Sequence, residues 1–251
     1  MLALITGASS GIGRDMTRVL DSLGYETIIV GRDEKNLLKV KNDLNNKPEI
    51  IVADLSIKEE CIKVYEETKK KNKNIDLLIN NAGFGLFGEF EDSNLEKELS
   101  MIDTNIKAVH ILTKLFLKDM IKANSGYILN VASIAGFMAG PLMATYYASK
   151  NYVVRLSQAI REELNVKKSN VKISILCPGP VNTNFNNTAN VKFSLNGMDS
   201  KIVAEYAIKK ALKGKFYIIP GAGVRLTRLM SKIIPDTTMA KFCMNMQEKK
   251  R

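Results

Sequence analysis

The sequence predicts a single α/β domain, a doubly wound parallel seven-stranded sheet with helices on both faces. Three observations carry that expectation. Short, continuously apolar, β-rich runs alternate with longer mixed stretches, as repeated strand–helix–strand units require. Several of the runs lack the in–out alternation of a sheet wetted on one face, so helices must cover both sides. The chain has 251 residues, 45% of them hydrophobic, which suits one such unit with a substantial core and leaves no room for a second domain.

Taken in order, residues 2–6 form the first apolar run, and residues 12–23, beyond a cluster of glycines, the first helix. Residues 27–30 and 33–45 form the second strand and helix, with Asp33 placed to cap the helix. The third pair is 49–53 and 58–72, closing on Lys69-Lys70-Lys71-Asn72-Lys73, cations suited to the negative end of a helix dipole. Strand 76–80 leads into one long helix, 95–123, and strand 127–132 into helix 142–166. Strand 171–177, helix 200–213 with Ser200 at its cap, and strand 216–219 complete the sheet. Two segments are less regular. Residues 178–200 read as a substrate lid, because long irregular connections in compact domains usually close over a site. Residues 221–251 read as a basic amphipathic extension; membrane-surface contact, a lid and a subunit contact are its three open roles.

Lys and Arg number 37 against 26 Asp and Glu, a net charge of +11. Such an excess suits a nucleic acid, an anionic membrane or an anionic ligand. With 7% aromatic residues the chain has few stacking platforms, so nucleic acid is not the expected partner. Cys61, Cys177 and Cys243 are far apart and have no zinc spacing, which predicts neither disulfides nor a metal site and suits a reducing compartment. The opening residues are too short an apolar stretch for a secretory signal, and no run approaches the ~20 residues needed to span a bilayer. A soluble, cytoplasmic protein is expected.

The turn Thr6-Gly7-Ala8-Ser9-Ser10-Gly11-Ile12-Gly13 lies between the first strand and first helix. There, glycines permit positive φ and close backbone approach, and free N–H groups with the positive helix end face an anion. An ordinary tight turn would also fit. Tyr146 and Lys150, four residues apart within 142–166, project from one helix face about one turn apart. A cation so near a phenol favours phenolate and lowers a pKa otherwise near ~10. Ser133 follows the fifth strand, at the sheet edge where open α/β folds place ligands.

The spacing of this turn resembles the T-G-x-x-x-G-x-G motif of the short-chain dehydrogenase/reductase family. Other motifs follow in order: Asn80-Asn81-Ala82-Gly83, Asn105, Ser133 with Tyr146-x-x-x-Lys150, and Pro178-Gly179-Pro180-Val181 with Thr183. The resemblance covers roughly residues 1–220. It implies a Rossmann-type dinucleotide-binding fold and hydride transfer between a nicotinamide and a carbonyl or alcohol. In that reading Tyr146 is the acid/base, Ser133 binds the substrate oxygen, Lys150 binds the nicotinamide ribose and lowers the tyrosine pKa, and Asn105 holds a proton-relaying water. Asn105 as a helix kink bonded to backbone is compatible with that role. The cofactor-binding set implied is Gly7, Ser9, Ser10, Gly11, Ile12, Gly13, Arg32, Asp54, Leu55, Asn81, Ala82, Gly83, Tyr146, Lys150, Pro178, Gly179, Val181 and Thr183. The resemblance also implies a homodimer or homotetramer.

Arg32 follows Gly31, where NAD-using members carry an acid, so NADP(H) is expected over NAD(H). Asp33 opposes a 2′-phosphate unless it caps its helix. Asp54 stands either beside the adenine or as a cap of its own turn. Phe84, Phe87, Phe137, Met138, Leu142 and Met143 suit an apolar substrate pocket or plain packing equally. A sugar-nucleotide epimerase or dehydratase on the same fold, or a non-catalytic nucleotide-sensing or nucleic-acid-binding regulator, are the alternatives. Their weak points are the length and glycine spacing in the first case and an intact Ser133, Tyr146 and Lys150 in the second.

Overall fold

A computed structural model describes residues 1–70, 74–183 and 197–248. The strands are β1 (Leu2–Thr6), β2 (Glu26–Gly31), β3 (Glu49–Val52), β4 (Leu77–Asn80), β5 (Tyr127–Val131), β6 (Lys172–Leu176), β7 (Val181–Asn182), β8 (Met198–Asp199) and β9 (Tyr217–Ile218). The helices are α1 (Gly11–Ser22), α2 (Glu34–Asn42), α3 (Lys58–Lys70), α4 (Leu95–Ile102), α5 (Val109–Ala123), α6 (Ala144–Val166), α7 (Ser200–Ala211), α8 (Ala222–Met230) and α9 (Asp236–Glu248). Seven strands form one sheet in the order β3-β2-β1-β4-β5-β6-β9, and every pairing is parallel. The small pair β7–β8 stands apart.

Period-two side-chain alternation explains the two covered faces. From β1, Leu2 and Leu4 enter a core with Leu112, Phe116 and Val153, while Ala3 and Ile5 join Met16, Leu20, Ala204 and Ile208 on the other side. Each fully buried Leu or Ile is worth about 1.5–3 kcal/mol. A polar seam crosses the first core. The Asn80 Nδ2 donates to Thr113 Oγ1 (3.0 Å) and Asn130 Oδ1 (2.9 Å), and Asn130 Nδ2 donates to Ser157 Oγ (2.9 Å). Because a buried amide is costly unless paired, the seam fixes how α5 and α6 sit on β4 and β5.

The chain runs outward through β1, β2 and β3, then returns to place β4 on the other side of β1. At that reversal the connections leave in opposite directions, opening a crevice beyond the carboxyl ends of β1 and β4.

The long helix expected over 95–123 is interrupted. Between α4 and α5 the backbone takes a π-helical segment, Asp103–Ala108. Ser200 is not a cap: Asp199 caps α7 by accepting from Lys201 N, and the Ser200 hydroxyl bonds to the buried Asp15 instead. Helix α6 begins at Ala144 rather than 142, since Leu142 takes a left-handed φ of 62°. Beyond Pro220, within the expected extension, the chain folds as the two helices α8 and α9. Of the lysine run, Lys69 pairs with Asp119 at 3.0 Å, while residues 71–73 lie outside the described residues, as do 184–196 of the expected lid. Among the described residues no helix is long and apolar enough to cross a membrane.

Candidate active site

The floor of the crevice is a knot between β1 and β4. The Thr6 hydroxyl accepts from the backbone N–H of Asn81 (2.9 Å) and Ala82 (3.0 Å). In return, Asn81 Nδ2 donates to the carbonyls of Thr6 (3.0 Å) and Gly7 (3.1 Å). Gly7 has φ +64°, and a Cβ there would stand 2.8 Å from Ala82 Cα. Both facts require glycine, and both follow from drawing the two loops so close together.

Above this floor α1 begins. Its cap residue, Ser10, makes no side-chain capping hydrogen bond among the described residues, whereas Asp33, Asn94 and Asp199 each cap their helices. An uncapped helix start directs unpaired N–H groups and the positive dipole end into the crevice, as an anion seat would.

The crevice has a volume of about 440 Å³. Its end beside the start of α1 is walled by Gly7, Ser9, Ser10, Gly11, Ile12, Arg32, Asp54 and Leu55. Its middle is walled by Asn81, Ala82, Gly83, Pro178, Gly179, Val181 and Thr183, and its far end by Ser133, Tyr146 and Lys150. Two expected residues stand behind the wall. Gly13 packs directly on Asn81 and the Gly7 carbonyl, where a Cβ would collide. Asn105 is fully buried, with Nδ2 donating to Phe84 O (2.8 Å) and Ser149 Oγ (3.1 Å) and Oδ1 accepting from Phe84 N (3.0 Å). Asn105 lies within the π segment, and its amide ties the loop after β4 to the first turns of α6.

At the outer end, Asp33 accepts from Asn36 N (3.0 Å) and from the Asn36 side chain, so its carboxylate faces its own helix. The Asp54 carboxylate accepts from Ser56 N (2.9 Å) and Ser56 Oγ (2.7 Å), the capping arrangement, and lies 3.5 Å from Arg32. Burial works against the charge on Asp54, but Ser56 and Arg32 outweigh it and hold the carboxyl below its ordinary range. Arg32 remains 63% exposed, open to a further anion.

At the inner end, Ser133 caps a short 3₁₀ turn (Ile134–Phe137), accepting from Ala135 N at 3.2 Å, and hydrogen-bonds the Tyr146 hydroxyl. Burial pushes the Tyr146 phenol up to about 12, partly offset by that bond. Lys150 Nζ donates to the Val131 carbonyl (3.1 Å) and lies 5.8 Å from the centre of the Tyr146 ring. Burial brings its pKa down to about 8. A Cβ at Gly83 would come within 3.3 Å of this ammonium.

The end of the crevice at Ser133 and Tyr146 is apolar in part. Phe84, Ile134 and Met143 line it, whereas Phe137 and Leu142 are core, Phe87 lines a separate small hollow, and Met138 packs against Cys243. Sequence reasoning missed Met246, which α9 brings to the crevice from 100 residues beyond Tyr146. No motif marks it. His110 is exposed and hydrogen-bonds Tyr152 (2.7 Å), away from this site.

The sequence matches the family described as short chain dehydrogenase over residues 1–192. The chain belongs to the short-chain dehydrogenase/reductase family. An uncharacterized oxidoreductase of Staphylococcus saprophyticus is 35% identical over 211 residues, covering 82% of this chain and 89% of the relative. Two solved structures share the fold at 25% identity. A short-chain dehydrogenase from Sphingobium yanoikuyae in complex with NADPH gives a TM-score of 0.82, covering 92% of this chain and 93% of its own. A short chain dehydrogenase/reductase from Burkholderia phymatum in complex with NAD gives 0.83, covering 92% and 94%. This family member is therefore an oxidoreductase with a Rossmann-like sheet, similar to proteins that bind either nicotinamide dinucleotide.

The buried Lys150 has a consequence for stability. Its folded pKa of about 8 lies below its ordinary 10.5, so above pH 8 the unfolded chain holds the proton more tightly than the folded one. The contribution of Lys150 to stability therefore rises with pH, because the cost of the buried ammonium is fully present below about pH 8 and is lost progressively as pH rises from there to 10.5. Denaturant unfolding of wild type and Lys150→Met between about pH 7 and 10 should show wild type gaining stability relative to the variant. A constant difference across that range would contradict this placement of the lysine.

Proposed function

We propose that this oxidoreductase is a carbonyl reductase, also able to run as an alcohol dehydrogenase, that prefers NADP(H) over NAD(H) and uses Tyr146 as acid/base. The observation that carries the reading is the buried trio of Ser133, Tyr146 and Lys150, at one end of a crevice whose other end is an uncapped helix start beside Arg32.

The residues present fit a dinucleotide. The backbone of Ser9, Ser10, Gly11 and Ile12 suits the pyrophosphate, with Gly7 and Gly13 allowing the close approach. Leu55, Ala82, Gly83, Pro178, Gly179, Val181 and Thr183 would flank the bases and sugars, and Asp54 could accept from adenine while still capping its turn. Arg32 supports the phosphorylated cofactor, since no carboxylate occupies position 31 and Asp33 is turned to α2. A guanidinium meets phosphate in a bidentate, charge-assisted way.

NADPH supplies the hydride when bound. The Tyr146 O–H then donates its proton to the carbonyl oxygen, and the Ser133 hydroxyl hydrogen-bonds that oxygen as negative charge develops. Lys150 stabilises the phenolate left behind. Held near 12, the phenol is protonated at neutral pH, the form that proton donation to a carbonyl oxygen requires. Asn105 acts as a positioning residue through Phe84 and Ser149. The apolar side chains of Phe84, Ile134 and Met143 support an apolar substrate. Three buried cysteines that form no disulfide support a reducing cytoplasmic setting. The presence of Met246 in the crevice supports the lid role for the tail above membrane contact, and a homodimer or homotetramer follows from the family resemblance.

The test is NADPH oxidation over a panel of apolar ketones and aldehydes. Tyr146→Phe should lower kcat at least about 100-fold while NADPH still binds by fluorescence; retained turnover would refute the acid/base role. Arg32→Ala should raise KM for NADPH about tenfold or more and leave that for NADH within about threefold. Equal effects on both cofactors would remove the proposed phosphate contact.

A further inference from the structure

Beside the acid/base stands a second phenol that the proposed reaction leaves unused. The Tyr147 ring lies 6.1 Å from that of Tyr146, nearly perpendicular at 77°, and it too lines the crevice. Several contacts fix it. A Cβ on Gly140 would collide with the Tyr147 ring, so the ring rests directly on that backbone. The Asn151 side chain donates to the Tyr147 carbonyl (3.0 Å) and also to those of Ala135 (3.1 Å) and Met138 (3.0 Å). The hydroxyl oxygen accepts from Gln247 Nε2 at 3.0 Å.

Gln247 is 1% exposed, near the end of α9. The helix is docked, not draped. Met239 and Cys243 are buried along the same face, and the Cys243 thiol meets the Met138 sulfur at 3.4 Å. A buried amide that spends an N–H on a phenol oxygen orients that phenol. With its oxygen accepting from α9, the Tyr147 O–H proton is left to be donated elsewhere. Burial raises the Tyr147 pKa well above its ordinary value, so the group stays a neutral donor at working pH.

We propose that Tyr147, oriented by Gln247, is a specificity-determining donor that hydrogen-bonds a second, neutral oxygen acceptor on the substrate beside the reacting carbonyl. The favoured substrates are then apolar dicarbonyls or keto esters rather than plain ketones. A cation would suit a carboxylate, but the charged neighbour here is Lys150, committed to Val131 and the Tyr146 side. A site built to donate one more hydrogen bond discriminates against a substrate lacking the acceptor, because its buried donor is then left unpaired. This inference rests on the carbonyl-reductase reading and adds the second point of recognition.

The experiment uses the full chain and two matched probes, an aryl α-keto ester and the alkyl aryl ketone of the same skeleton. For each, NADPH oxidation gives kcat and KM, and calorimetry gives affinity for the NADP⁺-loaded enzyme. Tyr147→Phe, which keeps the ring, should lower the keto ester to ketone ratio of kcat/KM about tenfold, mainly through KM. Gln247→Leu should shift the ratio in the same direction, and Gln247→Glu, which keeps the chain length but removes the N–H donors, should follow Gln247→Leu. A tethering role alone would change both probes equally and leave the ratio where it was, which would overturn the proposal. If wild type bound the keto ester more tightly than the ketone, and Tyr147→Phe abolished that difference, without any turnover, the donor would stand and the carbonyl-reductase reading would fall. Turnover of both probes with an unchanged ratio would do the reverse, and absence of both binding and turnover would overturn both.

Discussion

The ammonium of Lys150 is buried against the phenol of Tyr146, and the surrounding structure is arranged around the cost of keeping it there. Removing water disfavours both charged forms, raising the phenol and lowering the amine. Among the described residues, the Val131 carbonyl is the one hydrogen-bond acceptor drawn close to the ammonium. Gly83 leaves the room for it, and Asn105 holds Gly83's neighbour Phe84 by both backbone groups. Asn105 lies in the π segment that interrupts the long helix. The π segment and the buried amide of Asn105 thus serve one buried pair.

The opposite end of the crevice depends on a different constraint, the approach of two loops. Thr6 and Asn81 exchange hydrogen bonds across the β1–β4 reversal, and glycine at positions 7 and 13 allows the backbones to touch. What remains exposed is a helix start with its N–H groups unsatisfied by any cap. Asp33, Asn94 and Asp199 cap their helices, whereas the start of α1, which opens on the crevice, has no side-chain cap and suits an anion. The excess of positive charge read in the sequence gains one local meaning here, at the exposed Arg32.

Much of this was legible before any coordinates. The strands of the sheet are short, largely apolar runs, so periodicity and punctuation locate them; the glycine turn, Asn81 and Ser133 fall just after such runs, and Tyr146 and Lys150 one helical turn apart on α6. Less legible were features set by tertiary contacts. The helical periodicity of 95–123 continues through the π segment, since the inserted turn changes hydrogen bonding without interrupting the apolar face. Ser200 has a good capping side chain, but the buried Asp15 claims its hydroxyl and Asp199 takes the cap. Gln247 and Met246 sit in a tail whose composition suits several roles; only its docking on the turn after β5 brings them to Tyr147 and the crevice.

On this account Tyr146 is a neutral phenol, with Lys150 already beside it, until a cofactor brings a second positive charge, and the most direct measurement is its ionisation. Tyrosinate absorbance would be followed against pH in wild type and Tyr146→Phe, with and without NADP⁺. The account predicts that, without NADP⁺, Tyr146 contributes no tyrosinate signal below about pH 10, and that with NADP⁺ an ionisation assignable to Tyr146 appears below that pH. Identical titrations with and without NADP⁺ would contradict it.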